Sequence, residues 1–84
     1  MATVLERVKK ITGSVLNIDP ATIKETAHFS HDLGAESVQS IELVAAFSED
    51  FDIEMDEEQA LQVTTVKGAV DYISKVCKEQ GKPV

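Results

Sequence analysis

The 84-residue chain is long enough for one small domain and too short for two. With 43% apolar residues it has the composition of a folded globule, but a core this small leaves no room for a deep cavity of enzyme size. Eight Lys and Arg against 15 Asp and Glu give a net charge of −7, which argues against nucleic acid and anionic membrane surfaces and for a basic protein partner.

Residues 3–17 carry Val4, Leu5, Val8, Ile11, Val15 and Leu16 at helical spacing. Thr3 is placed to cap this helix, with Glu6 completing a capping box. Asn17 and Asp19-Pro20 end it, since the residue before a proline is pushed out of the α region. Residues 18–36 show no sustained period and form a connection long enough to suggest function or a hidden turn. Asp19 and Pro20 suit the start of one short turn through Ile23. Ile23, Phe29 and Leu33 would pin the loop to the core, and Gly34 permits a positive φ before the next helix.

The second predicted helix is 37–51. Ile41, Val44, Phe47 and Phe51 cluster on one side, expected to face inward, while Glu42, Glu49, Val38 and Ala45 fall opposite. Carboxylates mixed with apolar groups suit a docking face, although scattered apolar residues on a surface are ordinary. A short third helix over 57–62 holds Ala60 and Leu61. Thr64 or Thr65 then caps a last helix bearing Val66, Ala69, Val70, Ile73, Val76 and Cys77, stopped by Gly81 and Pro83. No segment alternates with period two. The expected fold is all-α: a single domain over 1–84, a four-helix bundle with three long helices, one short helix and a long first loop.

Charge is unevenly spread. Residues 25–66 hold 11 acidic residues and no Lys or Arg, whereas the two flanking segments each sum to +2. The charges of Glu6, Arg7, Lys9 and Lys10 interrupt any apolar run, so neither a signal peptide nor a membrane span is expected. The single cysteine, Cys77, excludes an internal disulfide, follows the apolar stripe and is compatible with a reducing cytoplasm. Asp50, Asp52, Glu54 and Asp56 alternate, but Met55 and Leu61 stand where a calcium loop needs Gly and Glu. His28 and His31 read as solvated loop histidines rather than zinc ligands. No nucleophile–base pair, P-loop or GxSxG pattern is present, so no enzyme is expected.

Ser37 stands at the start of the second helix. A serine there is ordinarily a cap, yet a helix N-terminus also offers free N–H groups that suit a phosphate. The stretch Asp32-Leu33-Gly34-Ala35-Glu36-Ser37-Val38, followed by Ile41-Glu42-Leu43-Val44, resembles the acyl carrier protein family, whose attachment motif reads D-L-G-A-D-S-L. The resemblance extends from Glu6-Arg7-Val8-Lys9-Lys10-Ile11 through Glu49-Asp50-Phe51-Asp52 and Thr64-Thr65-Val66 to Asp71-Tyr72-Ile73. It implies a type II, free-standing carrier. On that resemblance, Ser37 would receive a 4′-phosphopantetheine arm from coenzyme A through a phosphopantetheinyl transferase. The arm would hold acyl intermediates as thioesters for enzymes of fatty acid, lipid or polyketide biosynthesis. Phe29, Ile41, Val44, Phe47, Met55, Ala60, Val63, Ala69 and Ile73 would line the acyl space. Glu36, Val38, Glu42, Ala45 and Glu49 would meet acyl-processing enzymes through their basic docking patches. The carrier would be a cytoplasmic monomer without membrane insertion.

The chain departs from the family pattern at Glu36 for Asp, Val38 for Leu, and Ala45 where Met is frequent. Gln39 and Ser48 replace frequent acids, and Phe47 replaces an aliphatic residue. Together these point to a specialised carrier with fewer partners. Glu is the poorer N-cap, which would leave Ser37 to cap the helix itself. The alternative is an unloaded acidic helical interaction module that keeps the carrier fold without modification.

Overall fold

The computed structural model describes residues 3–82; Pro83, expected to help stop the last helix, lies outside them. Helix α1 spans Val4–Leu16, α2 Ser37–Phe51, α3 Glu57–Leu61 and α4 Val66–Glu79, with one 3₁₀ turn at Pro20–Thr22. Among the described residues there is no strand, only an isolated antiparallel bridge between His28 and Thr65. No helix in this range is long and apolar enough to cross a membrane.

The caps set the boundaries. The Thr3 hydroxyl accepts the Glu6 N–H at 3.1 Å. Asp56 takes the Glu58 and Gln59 N–H groups at 3.0 and 3.3 Å, and Thr65 takes that of Gly68 at 3.0 Å. Helix α1 ends at Asn17, which adopts φ 57°, and the Ile18 N–H closes onto the Gly13 carbonyl at 2.9 Å. Gly13 is required by this return: a Cβ there would lie 2.7 Å from the Ile18 carbonyl oxygen and 2.8 Å from Pro20 Cγ. Asp19 then caps the 3₁₀ turn through the Ala21 N–H at 2.9 Å, as its place before Pro20 suggested.

The long loop is tied down by backbone bonds to the segment entering α4. The Phe29 N–H donates to Thr64, Val66 to Ala27 and Lys67 to Glu25, at 2.9–3.0 Å. These bonds give a connection without regular structure the polar partners that burial demands. They also bury Ile23, Ala27, Phe29 and Ala35 in the same core as Val8, Val66, Ala69 and Ile73. Helix α1 packs on α2 and α4, and α3 packs on α2.

Helix α2 requires a correction. Its buried residues are Leu43, Phe47 and Phe51, whereas Ile41 is 48% exposed. At 100° per residue the inward direction is rotated by roughly 50° from the one expected, and Ile41 stands about 120° from its centre. The helix carries apolar residues at 41, 43 and 44, so its stripe is wider than the core contact. Packing selects the edge bearing Leu43, which shares the core with Phe29 and Ile73.

The acidic segment is bridged at long range. Arg7 reaches Asp50 with Nη2 at 2.7 Å and Nε at 3.0 Å from Oδ2, and its guanidinium lies 3.9 Å from the Phe51 ring centroid. Lys82 Nζ meets Asp52 at 2.9 Å. Cys77 is fully buried, and burial pushes its thiol up from the ordinary value.

Candidate functional site

Ser37 is the first residue of α2 and is exposed. The turn before it is built by Asp32, whose carboxylate accepts the His28 N–H at 2.7 Å. That backbone hydrogen bond, aided by the His28 side chain, holds the Asp32 carboxyl below the ordinary carboxylate value. The Asp32 and Leu33 N–H groups return to the His28 carbonyl at 2.9 and 3.1 Å, and Gly34 turns with φ 72°. The Ala35 N–H then donates to Phe29 at 2.8 Å, and Ala35 is buried. The loop is therefore anchored on both sides of Gly34 and delivers Ser37 outward from a fixed base.

Ser37 does not cap its own helix. Glu36 is the N-cap residue, and Gln39 Oε1 accepts the Glu36 N–H at 2.9 Å in a capping-box arrangement. Gln39 thus supports the Glu at 36 through its carbonyl oxygen, a role that an acid at 39 could also fill. Among the described residues the Ser37 hydroxyl has no hydrogen-bond partner, so nothing competes for it. An exposed, uncommitted hydroxyl beside the Ser37 and Val38 N–H groups, which the capping box leaves free among the described residues, fits a phosphodiester.

Behind this helix start lies a cavity of about 50 Å³. Eight of the nine residues expected around an acyl space border it: Phe29, Val44, Phe47, Met55, Ala60, Val63, Ala69 and Ile73. Ile41 does not, because the rotation of α2 turns it to solvent. Ser40, Leu43, Leu61 and Tyr72 border the cavity and were not foreseen. The spacing of Leu43 four residues before Phe47 could have found the first of the apolar pair. An open groove lined by His28, Ser30, His31 and Thr64 shares Phe29, Ser40, Leu61 and Val63 with the cavity. Ser40 lies one turn after Ser37, so the groove and the cavity meet close to the serine.

The outward residues Glu36, Val38, Glu42, Ala45 and Glu49 are all exposed. Val38 is 65% exposed, and Ile41, at 48%, adds apolar surface that was not expected there; Leu61 of α3 is also exposed, at 41%. Among the described residues no cluster of His, Cys, Asp and Glu is placed to hold a metal ion. The His28 and His31 rings meet edge-on, with centroids 5.8 Å apart.

An all-helical domain thus displays a serine at a helix start and backs it with an apolar cavity. The phosphopantetheine attachment site family matches residues 6–73, and the chain belongs to that family. It is a carrier that bears a covalently attached 4′-phosphopantetheine, served by a phosphopantetheinyl transferase and by processing enzymes.

Proposed function

We propose that Ser37 Oγ is the attachment atom and that the protein carries acyl intermediates for enzymes of fatty acid, lipid or polyketide biosynthesis. The observation that carries this reading is the uncommitted Ser37 hydroxyl at the first position of α2, presented by the anchored Asp32–Ala35 turn. When bound, the arm supplies a thiol that holds the acyl group as a thioester. The N–H groups of the first turn of α2 face the phosphodiester, and the cavity behind Ser40 shelters the start of the acyl chain.

Docking falls to the outward side of α2. Glu42 and Glu49 steer a basic partner patch and govern the on-rate, while Val38, Ala45 and Ile41 supply apolar contact. The protein works as a cytoplasmic monomer, where a reducing environment suits the buried Cys77 thiol.

The test is chemical. The protein is incubated with coenzyme A and a broad-specificity transferase, its intact mass is measured, and the modified peptide is mapped. A mass gain confined to the Ser37 peptide and abolished by Ser37→Ala is expected. A gain that survives Ser37→Ala would place the arm elsewhere, and no gain at all would favour the unloaded interaction module.

A further inference from the structure

We propose that the turn after α4 is a strap, and that Gln80 on it fixes one end of a flap formed by residues 55–63. The inference goes beyond the carrier reading and holds whether or not Ser37 is loaded. Helix α4 closes on Gly81 at φ 70°. The Gly81 N–H donates to the Lys78 carbonyl at 3.3 Å and the Lys82 N–H to that of Cys77 at 2.8 Å. This paired closure gives the helix end one defined shape, and it directs two side chains at the connection that follows α2. Gln80 Oε1 accepts the Glu54 N–H at 3.0 Å, and Gln80 Nε2 donates to the Glu54 carbonyl at 2.7 Å. The side-chain amide thus meets both polar groups of one residue's backbone, as an antiparallel strand would. Lys82 Nζ adds its bond to Asp52 Oδ2 at 2.9 Å. Between them Ile53 is buried, and its N–H returns to the Ser48 carbonyl at 3.0 Å. Residues 52–54 are therefore held by α2, by the core and by the strap.

Beyond Glu54 the chain changes character. Among the described residues, the hydrogen bonds of 55–63 all stay inside that segment: Ala60 to Asp56, Gln62 to Gln59, Val63 to Ala60, and the cap at Asp56. Ala60 is its one buried residue. Helix α3 has five residues, too few to persist without tertiary packing. At the far end the chain is fixed again, where the Phe29 N–H donates to the Thr64 carbonyl and the Val66 N–H to that of Ala27. The segment therefore hangs between two anchors, Glu54 and Thr64, and rests on the body through apolar packing alone. Few buried contacts and no outside bonds make a unit that opens below the cost of global unfolding. Leu61 and Val63 border both the cavity and the groove that share Ser40, so the flap is the wall nearest the serine. The Gln80 bonds are between neutral groups, whereas the Lys82 pair is charged and its Asp52 side chain is 89% exposed, so salt weakens only the second.

The experiment is residue-resolved amide hydrogen exchange on the full chain, as the parent, Gln80→Ala and Gln80→Glu, at low and high salt. Gln80→Glu keeps an acceptor for the Glu54 N–H but has no donor for its carbonyl. The diagnostic amides are Ala60, Gln62 and Val63, whose bonds lie inside the flap. Their exchange should quicken about 10-fold in Gln80→Ala, the loss of two exposed hydrogen bonds, and by less in Gln80→Glu. The amides of Phe29 and Val66, at the far anchor, should keep the parent rate, and the ratio of variant to parent should not change with salt. Acceleration at Glu54 alone would make the Gln80 contact a local one and overturn the flap. Equal acceleration at Phe29, Val66 and Ala60 would mean that Gln80 acts on the whole fold, and would overturn the strap. Unchanged exchange at every amide would do the same. A ratio that collapses in salt would assign the hold to charge and overturn the role of Gln80.

Discussion

Arg7 links the start of α1 to the end of α2, and its removal is a quantitative test of the packing. The guanidinium makes two bonds to Asp50 Oδ2, a third to the Asp50 carbonyl at 2.8 Å, and lies over the Phe51 ring. The ion pair is partly exposed, with side-chain accessibilities of 32% and 45%. An exposed pair contributes about 0.2–1 kcal/mol, and a cation over an aromatic face about 0.5–1 kcal/mol. The carbonyl bond satisfies a group in the last turn of α2, where a cation also meets the negative end of the helix dipole. Arg7→Ala should cost about 1–2 kcal/mol, a melting-temperature loss of about 4–16 °C for a domain of this size. Arg7→Lys keeps the charge but not the planar fork and should recover no more than about half of that. The assay is thermal and urea unfolding followed by circular dichroism, in a double-mutant cycle with Asp50→Ala. A coupling energy of about 0.3–1 kcal/mol is expected, shrinking in salt while the contact with Phe51 persists. Zero coupling, or an Arg7→Ala variant within about 0.5 kcal/mol of the parent, would refute the clamp.

The Thr12 side chain is fully buried and its hydroxyl has no partner among the described residues, so Thr12→Val should stabilise by about 1 kcal/mol. A lower melting temperature would mean that the hydroxyl is satisfied. Residues 25–66 hold 11 carboxylates, of which Asp50 and Asp52 meet Arg7 and Lys82, so added salt or Mg²⁺ should raise the melting temperature by screening the repulsion among the others. A flat or falling value would show that the long-range pairs outweigh that repulsion. The lowered pKa of Asp32 means that its contribution to stability is present above the unfolded value near pH ~4 and is lost as pH falls through the folded one. Hydrogen exchange at the His28 amide should accelerate on such acidification beyond its intrinsic rate, and Asp32→Ala should remove that dependence; equal protection in parent and variant would contradict it.

Helix boundaries were legible because each depends on a local signal. Thr3 caps as its spacing suggested, Thr65 is the one of the two candidate threonines that caps α4, and α2 runs from Ser37 to Phe51 as its periodicity indicated. The loop was only partly legible. Asp19-Pro20 announced its 3₁₀ turn, but the bonds from Phe29, Val66 and Lys67 join segments far apart in sequence. The Arg7–Asp50 clamp spans 43 positions, so a reading of local charge left Asp50 without a cation. At the site, the turn ahead of Ser37 was signalled by Gly34, and eight of the cavity's residues were legible, while Ile41 lies outside it and Ser40, Leu43, Leu61 and Tyr72 were missed. The cap of α2 was misjudged because the contribution of Glu36 depends on Gln39, a reciprocal effect that ranking single residues does not capture.

The orientation of α2 decides whether one helix can serve both cavity and docking face. With an inward direction centred on Ile41, Val44, Phe47 and Phe51, Ser37 would lie only about 25° from the middle of the core side. With Leu43, Phe47 and Phe51 inward it lies about 80° away, on the flank between the core and the outward carboxylates. Ser40 then borders the cavity one turn below Ser37, and Ile41 joins Val38 outside. The two orientations give opposite mutational orders. Leu43 is 3% exposed, so Leu43→Ala should cost about 2–5 kcal/mol through lost transfer energy and the cavity left behind. Ile41 is 48% exposed, so Ile41→Ala should cost less than about 1 kcal/mol and weaken partner binding instead. Urea unfolding of the two variants with unchanged m-values measures the difference directly. Equal costs, or a larger one at Ile41, would turn the helix back by half a right angle and bury the serine's side of it.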